Sequence, residues 1–312
     1  MEQLAQQQFT KQFINGEWKD GSSTKSITSY NPYNGEELVT IQAANQQDLD
    51  DAYEAAARAQ KVWEATPLVE KQQRFEQLVA VLQSKRELII DWLINEAGGT
   101  KLKATSEFTS ALRIVKESAS FLTRLTGQIL PSYVPNKENR VYRTAKGVIG
   151  VIGPWNFPFL LSMRSIAPAI ATGNGVVIKP ASDTPVTSGL LFGEIFEEAG
   201  FPAGLVNVIV GRGSEIGDAF VQHPIPSLIS FTGSTEVGRR IGELAGYHLK
   251  DVALELGGNN VMVVLKDANI ERAARAAAFG KFMHQGQICM ALNRIIVEKD
   301  VHDEFVEAFT AI

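Results

Sequence analysis

Hydrophobic and polar positions change their spacing three times along this chain. Near the start, Phe13-Ile14-Asn15-Gly16-Glu17-Trp18 is an apolar run broken by Asn-Gly, the commonest two-residue hairpin signal, and Tyr33-Asn34-Gly35-Glu36 repeats it. Small β-hairpins are predicted there. From Gln47 to Gln128 apolar residues recur at three- and four-residue steps, first Leu49, Ala52, Tyr53, Ala56 and Ala57, then Phe75, Leu78, Leu82, Leu88, Ile89 and Leu93. With charged residues between them, these stripes predict several amphipathic helices. Leu130 to Lys146 holds two prolines and the polar run Asn136-Lys137-Glu138-Asn139, so it reads as a β arm projecting from the body.

After Gly147 short β-branched runs alternate with helical segments such as Thr187 to Ala199. The runs are Val148–Ile152, Val176–Ile178, Val206–Val210, Leu228–Phe231, Val252–Leu254 and Val261–Leu265. Near-continuous apolar strands separated by helices suit a parallel sheet covered on both faces. The predicted fold is therefore α/β, with a doubly wound, Rossmann-like parallel sheet. Ligands of such sheets bind outside the carboxyl ends of the strands, so the loops after these strands are where chemistry is expected. No internal repeat or low-complexity segment interrupts the pattern.

Composition narrows the class without naming it. With 45% hydrophobic and 21% charged residues, 26 Gly and 12 Pro, the chain is an ordinary globular sequence, neither disordered nor collagenous. A net charge of −5 gives no electrostatic reason to expect nucleic acid or an acidic membrane as partner. Its single cysteine rules out an internal disulfide and suits a reducing compartment, and Met1 to Asp20 lacks a signal-peptide core, so a cytoplasmic location is expected. The four histidines, 223, 248, 284 and 302, do not pair at metal-ligand spacing, and no metal is expected.

Four loops after predicted strands carry candidate chemistry. Gly153-Pro154-Trp155-Asn156-Phe157-Pro158 presents an amide just before a helix; Asn156 is either an oxyanion donor or the helix cap. Lys179-Pro180-Ala181-Ser182 offers a cation and a hydroxyl at a strand end, suited to a ribose or its phosphate, against the ordinary fate of a solvated lysine. Phe231-Thr232-Gly233-Ser234-Thr235-Glu236-Val237-Gly238 is a strand-turn-helix junction whose amides and Ser234 suit a pyrophosphate. Arg239-Arg240 follow where a P-loop needs Lys then Ser or Thr, and the cluster Gly211 to Gly217 misses Gly-x-Gly-x-x-Gly by one residue. The fourth loop, Glu255-Leu256-Gly257-Gly258-Asn259, ends a strand in a carboxylate thirty-four residues before Cys289, the only cysteine. Alone, a cysteine is more often a small buried hydrophobe than a nucleophile; beside a water-activating carboxylate, an amide donor and nucleotide-type loops it reads as the latter.

Pro154-Trp155-Asn156-Phe157-Pro158, Lys179-Pro180-Ala181-Ser182, Phe231-Thr232-Gly233-Ser234, Glu255-Leu256-Gly257-Gly258 and Gly286-Gln287-Ile288-Cys289 together resemble, in order, the successive motifs of the NAD(P)-dependent aldehyde dehydrogenase superfamily. The resemblance runs from the N-terminal hairpins to Ile312. Family members continue for roughly another third of the fold, which makes the chain read as C-terminally truncated. The implied organisation is an NAD(P)-binding domain over residues 1–130 and 148–255, an oligomerisation arm at 131–147, and the start of a second α/β catalytic domain over 256–312.

The resemblance also implies roles. Cys289 attacks the aldehyde, Asn156 and the Cys289 amide hold the oxyanion, and Glu255 activates the water that hydrolyses the thioester. Ile152, Pro154, Trp155, Lys179, Ser182, Gly213, Gly217, Phe231, Gly233, Ser234, Val237 and Leu256 are implied to contact NAD or NADP. Ser182 stands where many NAD-preferring relatives carry a glutamate that repels a 2′-phosphate, so NADP is expected to be accepted as well, with Asp183 partly restoring the penalty. Phe157, Arg164, Ile288 and Met290 are implied to line the substrate pocket, joined by Phe159. Arg164 falls where semialdehyde-specific relatives bind a carboxylate, which calls for a buried guanidinium.

The runs Leu161–Ile166 and His284–Met290 are most similar to those of benzaldehyde, vanillin and salicylaldehyde dehydrogenases, which favours an aromatic aldehyde over the runner-up, succinate semialdehyde. A homodimer or homotetramer is expected. Two alternatives of another class stay open: a cysteine hydrolase built on His284 and Cys289, and a nucleotide-binding fragment without activity.

Overall fold

The computed structural model describes residues 8–312. The first hairpin joins β1 (Gln12–Ile14) to β2 (Glu17–Lys19) through Phe13 opposite Trp18. Its Asn15 and Gly16 have φ of 56° and 78°, the left-handed pair that a two-residue I′ turn requires. A second hairpin pairs β3 (Ser26–Tyr30) with β4 (Glu37–Gln42). Its Asn34-Gly35 signal lies inside a longer connection, 31–36, with Gly35 at φ 74°.

The predicted helical stretch resolves into four helices: α1 (Gln46–Ala65), α2 (Leu68–Ser84), α3 (Arg86–Asn95) and α4 (Lys101–Arg124). Asn45 and Asp48 form a reciprocal capping box that fixes the start of α1. The arm follows as an antiparallel hairpin of β5 (Gln128–Pro131) and β6 (Glu138–Val141), exposed at every position. It starts earlier than expected because Gln128 and Ile129 pair with Val141 and Arg140 before the prolines are reached.

The α/β region then runs β7 (Val148–Ile152), α5 (Pro158–Ala171), β8 (Gly175–Lys179), α6 (Leu191–Glu198), β9 (Val206–Val208), α7 (Asp218–Gln222), β10 (Pro226–Thr232), α8 (Thr235–Tyr247) and β11 (Asp251–Glu255). Single π-type turns at Val186–Leu190 and Gly213–Gly217 precede α6 and α7. The remainder contains β12 (Asn260–Val264), α9 (Ile270–Phe282), β13 (Leu292–Val297) and α10 (His302–Thr310).

One sheet of seven strands has the order β11-β10-β7-β8-β9-β1-β2. Its centre, β10-β7-β8-β9, is parallel, as the apolar runs predict. The sheet as a whole is mixed, because β1 adds antiparallel to β9 through Phe13 opposite Val208. Hairpin chemistry predicts the first hairpin but not its docking, which long-range burial of Phe13 and Ile14 decides. Strand β9 stops at Val208, short of the expected Val210, since the Val210 amide donates to the Gln12 side chain instead of continuing the ladder. Among the described residues no helix is long and apolar enough to cross a membrane.

By internal contacts the chain forms two compact units. The first holds the described residues through Thr232 together with Val237–Leu254, and its core includes Trp63, Phe75, Phe159, Met163, Phe192 and Phe196. The second holds Gly233–Glu236 and Glu255–Ile312. In it β12 and β13 pair in parallel, and Val264, Ile270, Ala274, Ala277 and Phe305 form a small core of their own. The sequence pattern missed β13; the β-branched run Ile295-Ile296-Val297 is its signal.

Candidate functional site

In the first unit the chain passes from β7 to β8 to β9 on one side and returns to β10 on the other side of β7. That reversal between β7 and β10 is a topological switch point, the place where open α/β sheets leave a ligand crevice. Register sets Phe231 opposite Ile152 and Ile152 opposite Lys179, so the three expected cofactor contacts end adjacent strands in a row.

The loop after β7 is pinned at its start by the Gly153 amide, which donates to the Lys179 carbonyl at 3.0 Å. Glycine is required there, since a Cβ would stand 2.6 Å from Ser162 Oγ. Pro154 and Phe157 are buried, Trp155 is exposed and Asn156 is half-buried. The Phe157 amide donates to Asn156 Oδ1 at 2.8 Å.

Asn156 is not the cap of α5: Phe157 occupies the cap position and gives no side-chain capping bond. The cap comes from another helix, because Glu107 Oε1 on α4 accepts from the Phe159 and Leu160 amides at 2.9 and 3.1 Å. Glu107 pairs with Lys103 one turn away, both side chains essentially inaccessible. Burial pushes the carboxyl up and the ammonium down, while their mutual attraction opposes both shifts.

Lys179 is not a solvated lysine. It is 5% exposed, its Nζ donates to the Pro180 carbonyl at 3.2 Å, and desolvation lowers its pKa to about 8. The following loop is braced from behind: Ser188 Oγ accepts from the Ala181 amide at 3.0 Å. The helical turn bearing Ser188 begins on Glu96, a buried carboxylate that accepts from the Val186 amide, the Thr187 amide and hydroxyl, and Ser29 Oγ. Burial raises its pKa to about 7 against those four donors. Ser182 is half-buried and Asp183 exposed. At Gly213 and Gly217 a Cβ would meet nothing within 4 Å, so the backbone there faces open space. Val237, on α8, is exposed.

In the second unit the Gly233 amide donates to the Glu255 carbonyl at 3.0 Å, which ties the two expected motifs together; Ser234 and Glu255 are exposed and Leu256 is half-buried. Gly258 lies against the cysteine loop, where a Cβ would come 2.8 Å from the Cys289 carbonyl. Asn260 Nδ2 donates to that same carbonyl at 2.9 Å and to the Ala291 carbonyl at 3.3 Å. Cys289 and Met290 are exposed and Ile288 is half-buried. His284 is buried, and His284, Gln285 and Gly286 all take positive φ, a left-handed turn that ends α9 and leads into Gln287-Ile288-Cys289.

Of the expected substrate residues, Phe157 and Arg164 lie in the first unit, Ile288 and Met290 in the second. Phe159 is buried in the core of the first unit, stacked on Phe192 at 5.0 Å. The Arg164 guanidinium, expected in a buried setting, stands on an exposed position of α5. Sequence reasoning overlooked Glu96, Lys103, Glu107 and Asn260. A signal existed for two of them: Lys103 and Glu107 fall on the stripe with Ala104, Phe108, Ala111 and Val115, which is the buried face of α4.

A Rossmann-like sheet with its switch point at β7 and β10, followed by an exposed cysteine braced against a Glu-Leu-Gly-Gly loop, defines the class, and residues 18–312 match the aldehyde dehydrogenase family profile. The chain belongs to that family. It is 57% identical over 302 residues to a vanillin dehydrogenase of Corynebacterium glutamicum, covering 96% of this chain and 62% of that protein. It is 50% identical over 305 residues to a benzaldehyde dehydrogenase of Bacillus subtilis, covering 98% and 63%. A solved structure of an NAD-dependent benzaldehyde dehydrogenase from Corynebacterium glutamicum superposes with a TM-score of 0.93 at 56% identity, over 97% of this chain and 65% of that one. The chain thus spans just under two thirds of the length of these relatives. Relatives in the family use NAD or NADP.

Proposed function

We propose that this protein oxidises an aromatic aldehyde to its carboxylic acid, with Cys289 as nucleophile. The observation that carries the proposal is the exposed Cys289, the only thiol, whose carbonyl is braced against the loop that follows Glu255. A thiolate adds to the aldehyde carbon and forms a thiohemiacetal, and the Asn156 side-chain amide and the Cys289 amide stabilise the oxyanion. NAD or NADP, when bound, supplies the hydride acceptor. Glu255 takes a proton from the water that attacks the resulting thioester, which releases the acid and the thiol.

The residues present fit a nicotinamide cofactor. Lys179 is a buried cation at a strand end, Gly213 and Gly217 face open space, and Ile152, Phe231 and Lys179 end adjacent strands at the switch point. Lys179 and Ser182 would hold the adenosine ribose, and Ser234, with the amides after Gly233, the pyrophosphate; Pro154, Trp155, Val237 and Leu256 would complete the contacts. Ser182 puts no carboxylate at the ribose, so NADP is accepted along with NAD; a large NAD preference in steady-state kinetics contradicts that.

Aromatic substrates are favoured by the vanillin and benzaldehyde relatives and by Phe157, Ile288 and Met290. Succinate semialdehyde is the competing substrate; it would need Arg164, exposed on α5, as its carboxylate ligand. The exposed hairpin β5–β6 would join copies into a homodimer or homotetramer, and a reducing, cytoplasmic setting suits the thiol. Residues 1–130 with 148–255 would form the cofactor domain and 256–312 the start of the catalytic one.

Nucleotide binding without turnover is the alternative of another class. The deciding experiment follows the absorbance of the reduced cofactor with benzaldehyde, vanillin or succinate semialdehyde, in wild type and Cys289→Ser. Oxidation of the aromatic aldehydes that disappears in Cys289→Ser supports the proposal. Cofactor binding without oxidation by wild type supports the alternative.

A further inference from the structure

Helix α5 starts with Pro158, which has no N–H, and leaves the Phe159 and Leu160 amides outside its own hydrogen-bond ladder. The residue before the helix would ordinarily fold its side chain over those two donors. Here Glu107 Oε1 takes both, and the Leu161 amide closes the first helical bond on the Phe157 carbonyl at 3.0 Å. Every first-turn donor is therefore satisfied without Asn156. Its Oδ1 accepts instead from the Phe157 amide at 2.8 Å, which fixes the plane of the carboxamide by a bond outside the helix.

The partner of Glu107 acts on the same loop. Lys103 Nζ, paired with Glu107, lies 4.4 Å from the centroid of the Phe157 ring. One buried pair thus grips both sides of the peptide that follows Asn156: the carboxylate holds the helix start and the ammonium holds the ring. Stability alone is a weak reason for such a pair, because well-packed apolar residues often replace a buried ion pair at no loss. Apolar residues cannot accept two backbone hydrogen bonds at the α5 terminus.

We propose that Lys103 and Glu107 are positioning residues that hold the Asn156–Phe157 segment and thereby set the direction of the Asn156 amide. The catalytic consequence rests on Asn156 being the oxyanion donor, while the positioning does not.

The test compares wild type with Glu107→Gln, Glu107→Ala and the apolar double variant Lys103→Met/Glu107→Leu. Amide hydrogen exchange reports the Phe157, Phe159 and Leu160 N–H groups directly, with the amides of β7 and β8 as internal reference, and steady-state aldehyde oxidation supplies kcat and KM. In Glu107→Ala and the double variant, exchange at all three amides is expected to accelerate at least tenfold while β7 and β8 keep their protection. Glu107→Gln, which keeps one acceptor oxygen, is expected to fall between. The kcat is expected to drop tenfold or more, with the cofactor KM within twofold of wild type.

Unchanged exchange at Phe157 in a folded double variant overturns the proposal. So does loss of protection across β7 and β8 along with the loop, which marks the pair as merely structural. If wild type itself oxidises no aldehyde, the assigned reaction fails, and the exchange data alone still decide whether the pair positions the loop.

Discussion

Asn260 Nδ2 lies 2.9 Å from the carbonyl oxygen of Cys289 and donates to it. The same carbonyl stands 2.8 Å from where a Cβ on Gly258 would be, so the thiol-bearing loop is pulled by one residue and spared by the absence of another. Both belong to the stretch that follows Glu255. The backbone of the cysteine loop is thus tied, within the second unit, to the stretch that follows Glu255.

Asn260→Ala removes two hydrogen bonds to the cysteine loop, worth about 1–2 kcal/mol together. Turnover is expected to fall on the order of tenfold while iodoacetamide still labels one thiol per chain. Gly258→Ala, which forces backbone apart, is expected to cost more. Wild-type turnover in both variants would remove Asn260 and Gly258 from the account of the site.

Asn156→Ala deletes the proposed oxyanion donor. The loss of one such donor typically costs about 2.7–4 kcal/mol, so kcat is expected to drop roughly a hundredfold to a thousandfold. The far-ultraviolet circular dichroism should stay unchanged, since the α5 cap comes from Glu107. Retained turnover sinks the assignment of Asn156.

Lys179 has a folded pKa of about 8, below the usual lysine value of 10.5. Between about 8 and 10.5 the folded state therefore binds fewer protons than the unfolded state, so stability falls as pH falls across that window and levels off below about 8. The penalty at neutral pH is roughly 3 kcal/mol. Lys179→Met is expected to be more stable than wild type at pH 7, with most of that advantage gone by pH 10, and to bind NAD or NADP more weakly. Urea midpoints at the two pH values and cofactor titration check both halves; a pH-independent difference refutes the linkage.

Glu96 runs the other way. Its pKa of about 7 exceeds the usual glutamate value of 4.5, so the folded state binds more protons between them. Its contribution is fully present below 4.5 and is lost as pH rises through about 7, roughly 3 kcal/mol in all. Glu96→Gln should flatten the change in unfolding free energy between pH 5 and pH 8. An identical slope in wild type and variant assigns the titration to other groups.

Much of the fold was legible because strands and helices announce themselves locally. The run Val148–Ile152 is the observed β7 residue for residue, and the Asn15-Gly16 turn takes the backbone its residues favour. The docking of β1 beside β9 was not legible, since nothing in Gln12–Ile14 says which edge it will meet. The candidate loops were found from their glycines, prolines and polar residues after apolar strands. Their supports were not: Glu96 lies ninety residues or more from the amides it caps, and Glu107 more than fifty from Phe159.

The sequence by itself determined the elements, the order of the loops and the residues able to do chemistry, because propensity, turn geometry and side-chain functional groups are local properties. Only the tertiary structure decided that Lys179 is buried, that Asn156 is relieved of capping by Glu107, and that Cys289 hangs from Asn260. Burial and long-range hydrogen bonding depend on which segments meet, and a buried charge or an orphan amide is tolerable only where a partner from elsewhere in the chain arrives to satisfy it.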